Sequence, residues 1–154
     1  MSLCALKVRY PLPYRDAIVR EAELNGISGE LVAAVVWTES KFDSDAVSGK
    51  GARGLMQLMP RTAEWCAELK GVEYSDDMLF DPEYNIALGA FYLKYLIDKF
   101  GDETAAVAAY NAGEGNVSKW GEISPENIPF PETAEYVKRV ARARNVYKAF
   151  IKQT

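Results

Sequence analysis

Glu39 closes an apolar run, Leu31-Val32-Ala33-Ala34-Val35-Val36-Trp37-Thr38. On a helix it shares a stripe with Leu31 and Val35, at steps of four. A helix that is apolar nearly all round is buried on most sides. A glutamate at its end is then partly desolvated, and desolvation disfavours the charged form and raises the pKa. A carboxyl that keeps its proton near neutral pH is what a general acid requires. The plainer alternative is that Glu39 emerges into solvent at the helix C-terminus, as most glutamates near helix ends do. The chain has no histidine, which removes Ser–His and Cys–His nucleophiles and every His-ligated metal site. The two cysteines, Cys4 and Cys66, make neither a four-thiolate zinc site nor a disulfide-dense scaffold. Acid–base chemistry therefore falls to the 22 Asp and Glu residues, or to Tyr or Lys.

Two further segments have chemistry to offer. Gly54-Leu55-Met56-Gln57-Leu58-Met59-Pro60 follows the glycine-rich stretch Ser48-Gly49-Lys50-Gly51-Ala52-Arg53 and sets a single glutamine among apolar side chains. Glycines let a backbone pass close to a ligand, methionines fill irregular surfaces, and a glutamine amide both donates and accepts. A core-packing turn is the alternative. Ala109-Tyr110-Asn111-Ala112-Gly113 ends a helix with a phenol and an amide. These groups cap a helix or line a sugar cleft, where aromatic faces cover pyranose rings and amides bind hydroxyls.

The elements that must position these residues read as helices between Gly, Asn and Pro punctuation, with weak strand signals throughout. Pro11 and Pro13 predict an extended lead-in over residues 1–14. Helices are predicted from Arg15 to Leu24, closed by Asn25-Gly26, and from Ser28, as cap, through Glu39. Further helices are predicted over Arg61–Leu69 behind Pro60, from Asp81-Pro82-Glu83 to Phe100, over Glu103–Tyr110 behind Asp102, and from Pro131 to Phe150. The glycine-rich stretch is a loop or small hairpin. With 154 residues, 49% hydrophobic and 26% charged, the chain suits one mainly α domain, assigned to residues 15–154. The net charge of −4 argues against a nucleic-acid partner. No apolar run approaches the roughly 20 residues that span a bilayer, and Met1–Arg9 lacks the core and cleavage site of a signal peptide.

Together these segments resemble the catalytic domain of the soluble lytic transglycosylases, within the lysozyme-like superfamily. The resemblance covers roughly residues 14–150 and rests on four motifs in order: Glu39-Ser40, Gly54–Pro60, Ala109–Gly113, and Pro131-Glu132-Thr133-Ala134-Glu135-Tyr136-Val137. It implies a lysozyme-like helical fold with at most a small β-hairpin at the glycine-rich loop. It also implies that Glu39 is the sole catalytic acid/base. The substrate-binding residues it implies are Ser40, Ser48, Met56, Gln57, Met59, Tyr110, Asn111, Ala112, Glu132 and Tyr136. Among them, Tyr110 would hydrogen-bond the Glu39 carboxyl, Asn111 and Ala112 would offer polar groups to the glycan, and Glu132 and Tyr136 would form the far wall. Asp43 and Asp45 match no catalytic position and are assigned to the loop.

The activity implied is cleavage of the β-1,4 bond between N-acetylmuramic acid and N-acetylglucosamine in peptidoglycan, leaving a 1,6-anhydromuramoyl end. No metal or cofactor is implied. The partner is the glycan strand, the expected state a monomer, and the expected location extracytoplasmic. A leader or membrane anchor cut away ahead of Met1-Ser2-Leu3 is an open alternative. Two rival functions are a muramidase of the same fold, which admits water, and a non-catalytic glycan-binding or assembly module. Lys50, Arg53, Arg61, Lys119 and Arg139 fall in or near the motif segments, where they would offset the acidity of the cleft or form a solvated face.

Overall fold

A computed structural model describes residues 1–152. The expected end of the domain at residue 154 lies outside the described residues. Eight α-helices are present among these residues: α1 (Leu3–Arg9), α2 (Arg15–Asn25), α3 (Gly29–Ser40), α4 (Pro60–Lys70), α5 (Pro82–Phe100), α6 (Glu103–Ala112), α7 (Glu114–Val117) and α8 (Pro131–Ile151). A 3₁₀ turn spans Asp76–Phe80.

α3 is the axis of the molecule. Leu31 to Val36 are all buried, as a helix apolar on every side requires. α8 and α2 pack against it, and α8 also packs on α6. α5 joins α2, α4 and α6. Its turns present Ile86, Leu88, Ala90, Leu93 and Leu96 to the core. Asp81 and Asp102 cap α5 and α6, their carboxylates accepting from Tyr84 N and Ala105 N at 2.8 Å each.

Several predicted boundaries move. The lead-in is not extended throughout, since α1 occupies Leu3–Arg9 with Ser2 Oγ accepting from Ala5 N at 3.2 Å. Pro11 and Pro13 exclude helix only at and just before their own positions, so they end α1 without preventing it. No residue of α1 is buried, but Leu6 and Tyr10 rest against the core, and Pro11 O accepts from the buried Tyr147 hydroxyl at 2.9 Å. Ser28 occupies the N-cap position of α3, as expected, but its side chain makes no cap hydrogen bond. Its hydroxyl instead accepts from Arg144 Nη2 at 3.0 Å, while Nη1 of the same guanidinium meets Glu103. α6 continues two residues past Tyr110, so Asn111 and Ala112 belong to its last turn. The glycine-rich stretch forms no strand, only isolated bridges between Val47 and Arg53 and between Arg53 and Leu58. The 3₁₀ turn and α7 were not predicted, being too short for a periodic signal.

Candidate active site

α3 carries Glu39 to the surface of the bundle and ends one residue later. The chain then turns sharply, with Lys41 and Phe42 both left-handed at φ 52° and 64°. This turn brings residues 46–59 back across the end of α3. Ser40 Oγ donates to Leu55 O at 2.7 Å, tying the helix end to the returning segment.

That segment is irregular, so its backbone groups need partners from elsewhere. Met56 N donates to Asn85 Oδ1 at 2.8 Å, and Met56 O accepts from the Tyr110 hydroxyl at 2.7 Å. The Asn85 amide also donates to Arg53 O at 3.0 Å and Leu79 O at 2.9 Å, so one fully buried side chain on α5 holds three backbone groups from two segments. Met56 is itself fully buried against Gly89, where a Cβ would strike its side chain. Gln57 adopts φ 49°, an uncommon conformation for a residue with a side chain. Its Nε2 donates to Ala46 O and Gly54 O at 3.0 and 2.9 Å, which holds the turn closed.

A cleft of about 360 Å³ opens beside Glu39. Ser48, Gln57, Met59, Tyr110, Asn111 and Glu132 line it with Glu39, as does Lys50. An adjoining depression of about 280 Å³ shares Gln57, Met59, Tyr110 and Asn111 and adds Ala112, Thr62 and Tyr92. Asn111 Oδ1 accepts from Thr133 Oγ1 at 2.8 Å, which leaves the amide nitrogen as the donor for a ligand.

Three expectations are corrected by the geometry. The hydroxyl on Glu39 belongs to Tyr136, which donates to Oε1 at 2.8 Å, whereas Tyr110 donates to Met56 O. Tyr136 is therefore buried behind the carboxyl and does not line the cleft's far wall. Tyr136 comes from α8, which packs along α3, whereas Tyr110 comes from α6, which packs on α5 and α8. Ser40 and Met56 do not line the cleft either. Both face inward, the first on Leu55 O and Val36 O, the second against α5. Asp43 and Asp45 stay in the loop, where Asp43 Oδ1 accepts from Asp45 N at 3.0 Å.

Burial pushes the Glu39 carboxyl up from 4.5 to about 7, against the lowering effects of the Tyr136 hydrogen bond and the Arg139 charge. Tyr136 and Tyr110 are held well above the usual phenol value, by burial first and then by the neighbouring Glu39 charge. They remain hydroxyl donors at any working pH. Of the basic residues near the motifs, Lys50 reaches the cleft, while Arg53 faces Asp76 and Asp77 at 3.7 and 4.0 Å. Asn85 and Thr133 were not singled out as functional from the sequence. An amide beside Ile86 on the apolar side of α5 was the available signal for the first.

Residues 16–129 match the family model described as the transglycosylase SLT domain. The chain is 38% identical to a soluble lytic murein transglycosylase of Salmonella typhimurium, over 96% of this chain and 25% of that protein. Its fold superposes on lytic transglycosylase Slt from Pseudomonas aeruginosa, solved as an inactive mutant, with a TM-score of 0.89 and 39% identity, over 94% of this chain and 25% of the other. The 70 kDa soluble lytic transglycosylase of Escherichia coli gives the same TM-score at 36% identity, over 96% of this chain and 26% of the other. The chain thus spans about a quarter of the length of these relatives.

Proposed function

The chain belongs to the transglycosylase SLT domain family, and from that premise we propose that it cleaves the β-1,4 bond between N-acetylmuramic acid and N-acetylglucosamine, leaving a 1,6-anhydromuramoyl end. The observation that carries this reading is the Glu39 carboxyl, raised to about 7 by burial, pinned by Tyr136 and open to the cleft. At neutral pH such a group is present in both protonation states, so one residue can give a proton and then take one.

In this reading Glu39 protonates the bridging oxygen, and the N-acetylglucosamine leaves. The 2-acetamido group of the muramoyl sugar stabilises the cation as an oxazolinium. The Glu39 carboxylate then removes the proton of the same sugar's 6-hydroxyl, whose oxygen closes on the anomeric carbon. The proton given departs on the leaving sugar's 4-hydroxyl and is replaced by the one from the 6-hydroxyl, so the acid is regenerated and no water is consumed. Because both substrate groups are tethered, their effective molarity can far exceed that of a free alcohol. Tyr136 holds one carboxyl oxygen, which leaves the other for both proton transfers. Ser48, Gln57, Asn111 and Glu132 would bind sugar hydroxyl and acetamido groups, with Met59 as an apolar surface. Ala112 would lie one sugar further along. Peptidoglycan lies outside the cytoplasmic membrane, so the action proposed is in the cell envelope.

Glu132 keeps the muramidase reading in view, because it puts a second carboxylate on the same cleft. Inverting hydrolysis needs a second carboxylate to activate water. Digestion of sacculi in ¹⁸O-labelled water separates the two. Unlabelled anhydro ends are expected, and label at the new muramoyl ends would replace the transglycosylase by a muramidase. No turnover at all would leave the non-catalytic glycan-binding module.

A further inference from the structure

The cleft beside Glu39 continues well past the acid. A third concavity, of about 400 Å³, shares Thr62, Tyr92 and Gly113 with the depression next to the cleft. That depression in turn shares Gln57, Met59, Tyr110 and Asn111 with the cleft itself, so the three form one groove. Aromatic rings follow its course. Tyr110 lies 5.6 Å from Tyr92, Tyr92 stacks on Tyr95 at 6.1 Å and 15°, and Tyr95 meets Trp65 edge to face at 4.8 Å. Tyr92 and Tyr95 are one turn apart on α5 and rest against the core. Trp65 stands outside them on α4, 36% exposed, and is the most exposed of the chain's three tryptophans. It shares its side of α4 with Arg61 and Thr62, at steps of four and three. On the opposite rim Gly113 ends α6 at φ +89°, with nothing within 4 Å of the place a Cβ would take, so the groove is open there.

We propose that Trp65 and Tyr95 build an outer sugar subsite, which takes a sugar of the same strand beyond those held beside Glu39 and makes binding depend on strand length. The inference rests on the reading of a glycan strand as substrate. The lining suits a sugar. A pyranose ring has an apolar face of C–H groups edged by hydroxyls, and an exposed indole can cover that face. Polar groups stand around the rings at the height of such an edge. Arg61 and Thr62 offer donors, and Glu114, paired with Lys99 at 3.3 Å, offers an acceptor. An apolar side chain seated there would desolvate these groups without replacing their hydrogen bonds. Continuity of the groove settles which sugar is meant. A sugar at Trp65 is tethered to the sugars held by Gln57 and Asn111, so its contact adds to theirs as an intramolecular event. A strand too short to reach Trp65 forgoes that contact. Trp65 is thus a specificity residue for strand length, remote from the bond that Glu39 would break.

The test is binding to the whole chain carrying Glu39→Gln, so that no probe is cut. The probes are peptide-free oligomers of alternating N-acetylglucosamine and N-acetylmuramic acid, from disaccharide to octasaccharide. Affinity is read by calorimetry, and contact by the Trp65 indole N–H in an NMR titration, assigned through Trp65→Phe. The octasaccharide is expected to move the Trp65 signal, and the disaccharide to leave it in place. Affinity should rise with length, and Trp65→Ala should cut the gain from disaccharide to octasaccharide by roughly tenfold. Trp65→Phe, which keeps an aromatic face, should retain most of the gain. A Trp65 signal that no oligomer moves, or that the disaccharide moves as far as the octasaccharide does, would overturn the proposal. So would a loss of the same factor at every length in Trp65→Ala, the mark of a merely structural residue, or an absence of binding by every oligomer. Binding is read here without turnover, so its failure leaves the assignment of Glu39 to the labelled-water digest. A failed digest leaves the binding result standing in turn.

Discussion

Residues 41–59 and the helices around them are held together by different physics. The helices meet through apolar faces, and α3 buries six consecutive aliphatic side chains, Leu31 to Val36. Residues 41–59 hold Lys41, Phe42, Gly51, Gly54 and Gln57 at positive φ, and polar groups fasten them: Ser40, Asn85, Tyr110 and Gln57 itself. Glu39 sits on the seam between the two. The helix supplies the desolvation that keeps its proton, and the loop supplies the cleft in which that proton can be used. Apolar packing tolerates exchange of similar volumes, whereas a buried amide with three partners tolerates none.

The largest effect that separates these regions should come at the seam. Glu39→Gln is expected to remove the activity, by about 10⁴-fold or more, because both proton transfers lose their agent. The fold should survive and gain stability at high pH. Below 4.5 the wild-type carboxyl is protonated in both folded and unfolded chains. Between 4.5 and about 7 only the folded chain keeps the proton, and above about 7 the folded chain bears the cost of an ionised, desolvated carboxylate. That cost is on the order of 3 kcal/mol, so the advantage of the glutamine variant in urea denaturation should grow from pH 5 to pH 8. A variant that loses activity and also stability at pH 8 would place Glu39 among the structural groups.

Next comes the fastening of the loop. Gly54 has φ +76°, and a Cβ there would strike Leu79 O and the Asn85 side chain. Gly71 has nearly the same φ, +67°, with nothing within 4 Å. Gly54→Ala should therefore cost more than about 3 kcal/mol, and Gly71→Ala only about 1 kcal/mol of backbone strain. Equal losses in chemical denaturation would mean that the loop is not clamped by Asn85.

The two tyrosines sharpen the comparison further. Tyr136→Phe removes the hydrogen bond to Glu39, about 1–3 kcal/mol, and this should appear in kcat as a roughly 10- to 100-fold loss. Its alkaline limb should also move upward, since that bond favours the carboxylate. Tyr110→Phe leaves Met56 O short of a donor and should cost about 1 kcal/mol of stability, with a smaller change in rate. The opposite pattern would return the orienting role to Tyr110.

Helices were readable because their period and punctuation are local. Asp81-Pro82-Glu83, Asp102 and Gly26 each mark a boundary through chemistry confined to a few residues. The same locality explains the errors. Ser28 has the composition of a cap, yet Arg144, 116 residues away, takes its hydroxyl. The Tyr110 and Tyr136 hydroxyls were equally eligible for Glu39, and the packing of α8 along α3 separates them. Asn85 serves three backbone groups brought together by tertiary structure alone. Glu39 was legible as a candidate acid because its cause, an apolar helix ending in a carboxylate, lies within nine residues.

The smallest expected effect concerns the charge that opposes desolvation. Arg139 lowers the Glu39 pKa. Arg139→Gln should therefore shift the alkaline limb of the rate profile upward and leave the acidic plateau of kcat in place. A downward shift would mean that Arg139 acts on Glu39 by some route other than its charge.

Underneath all of these lies one claim, that burial at the end of α3 keeps a proton on Glu39 near neutral pH. Titration of the Glu39 side-chain carboxyl by ¹³C NMR, assigned by comparison with Glu39→Gln, measures it directly. A midpoint near 7 is expected. A midpoint at the ordinary 4.5 would contradict it, leaving a solvated carboxylate with no proton to give at the pH where the cleft must work.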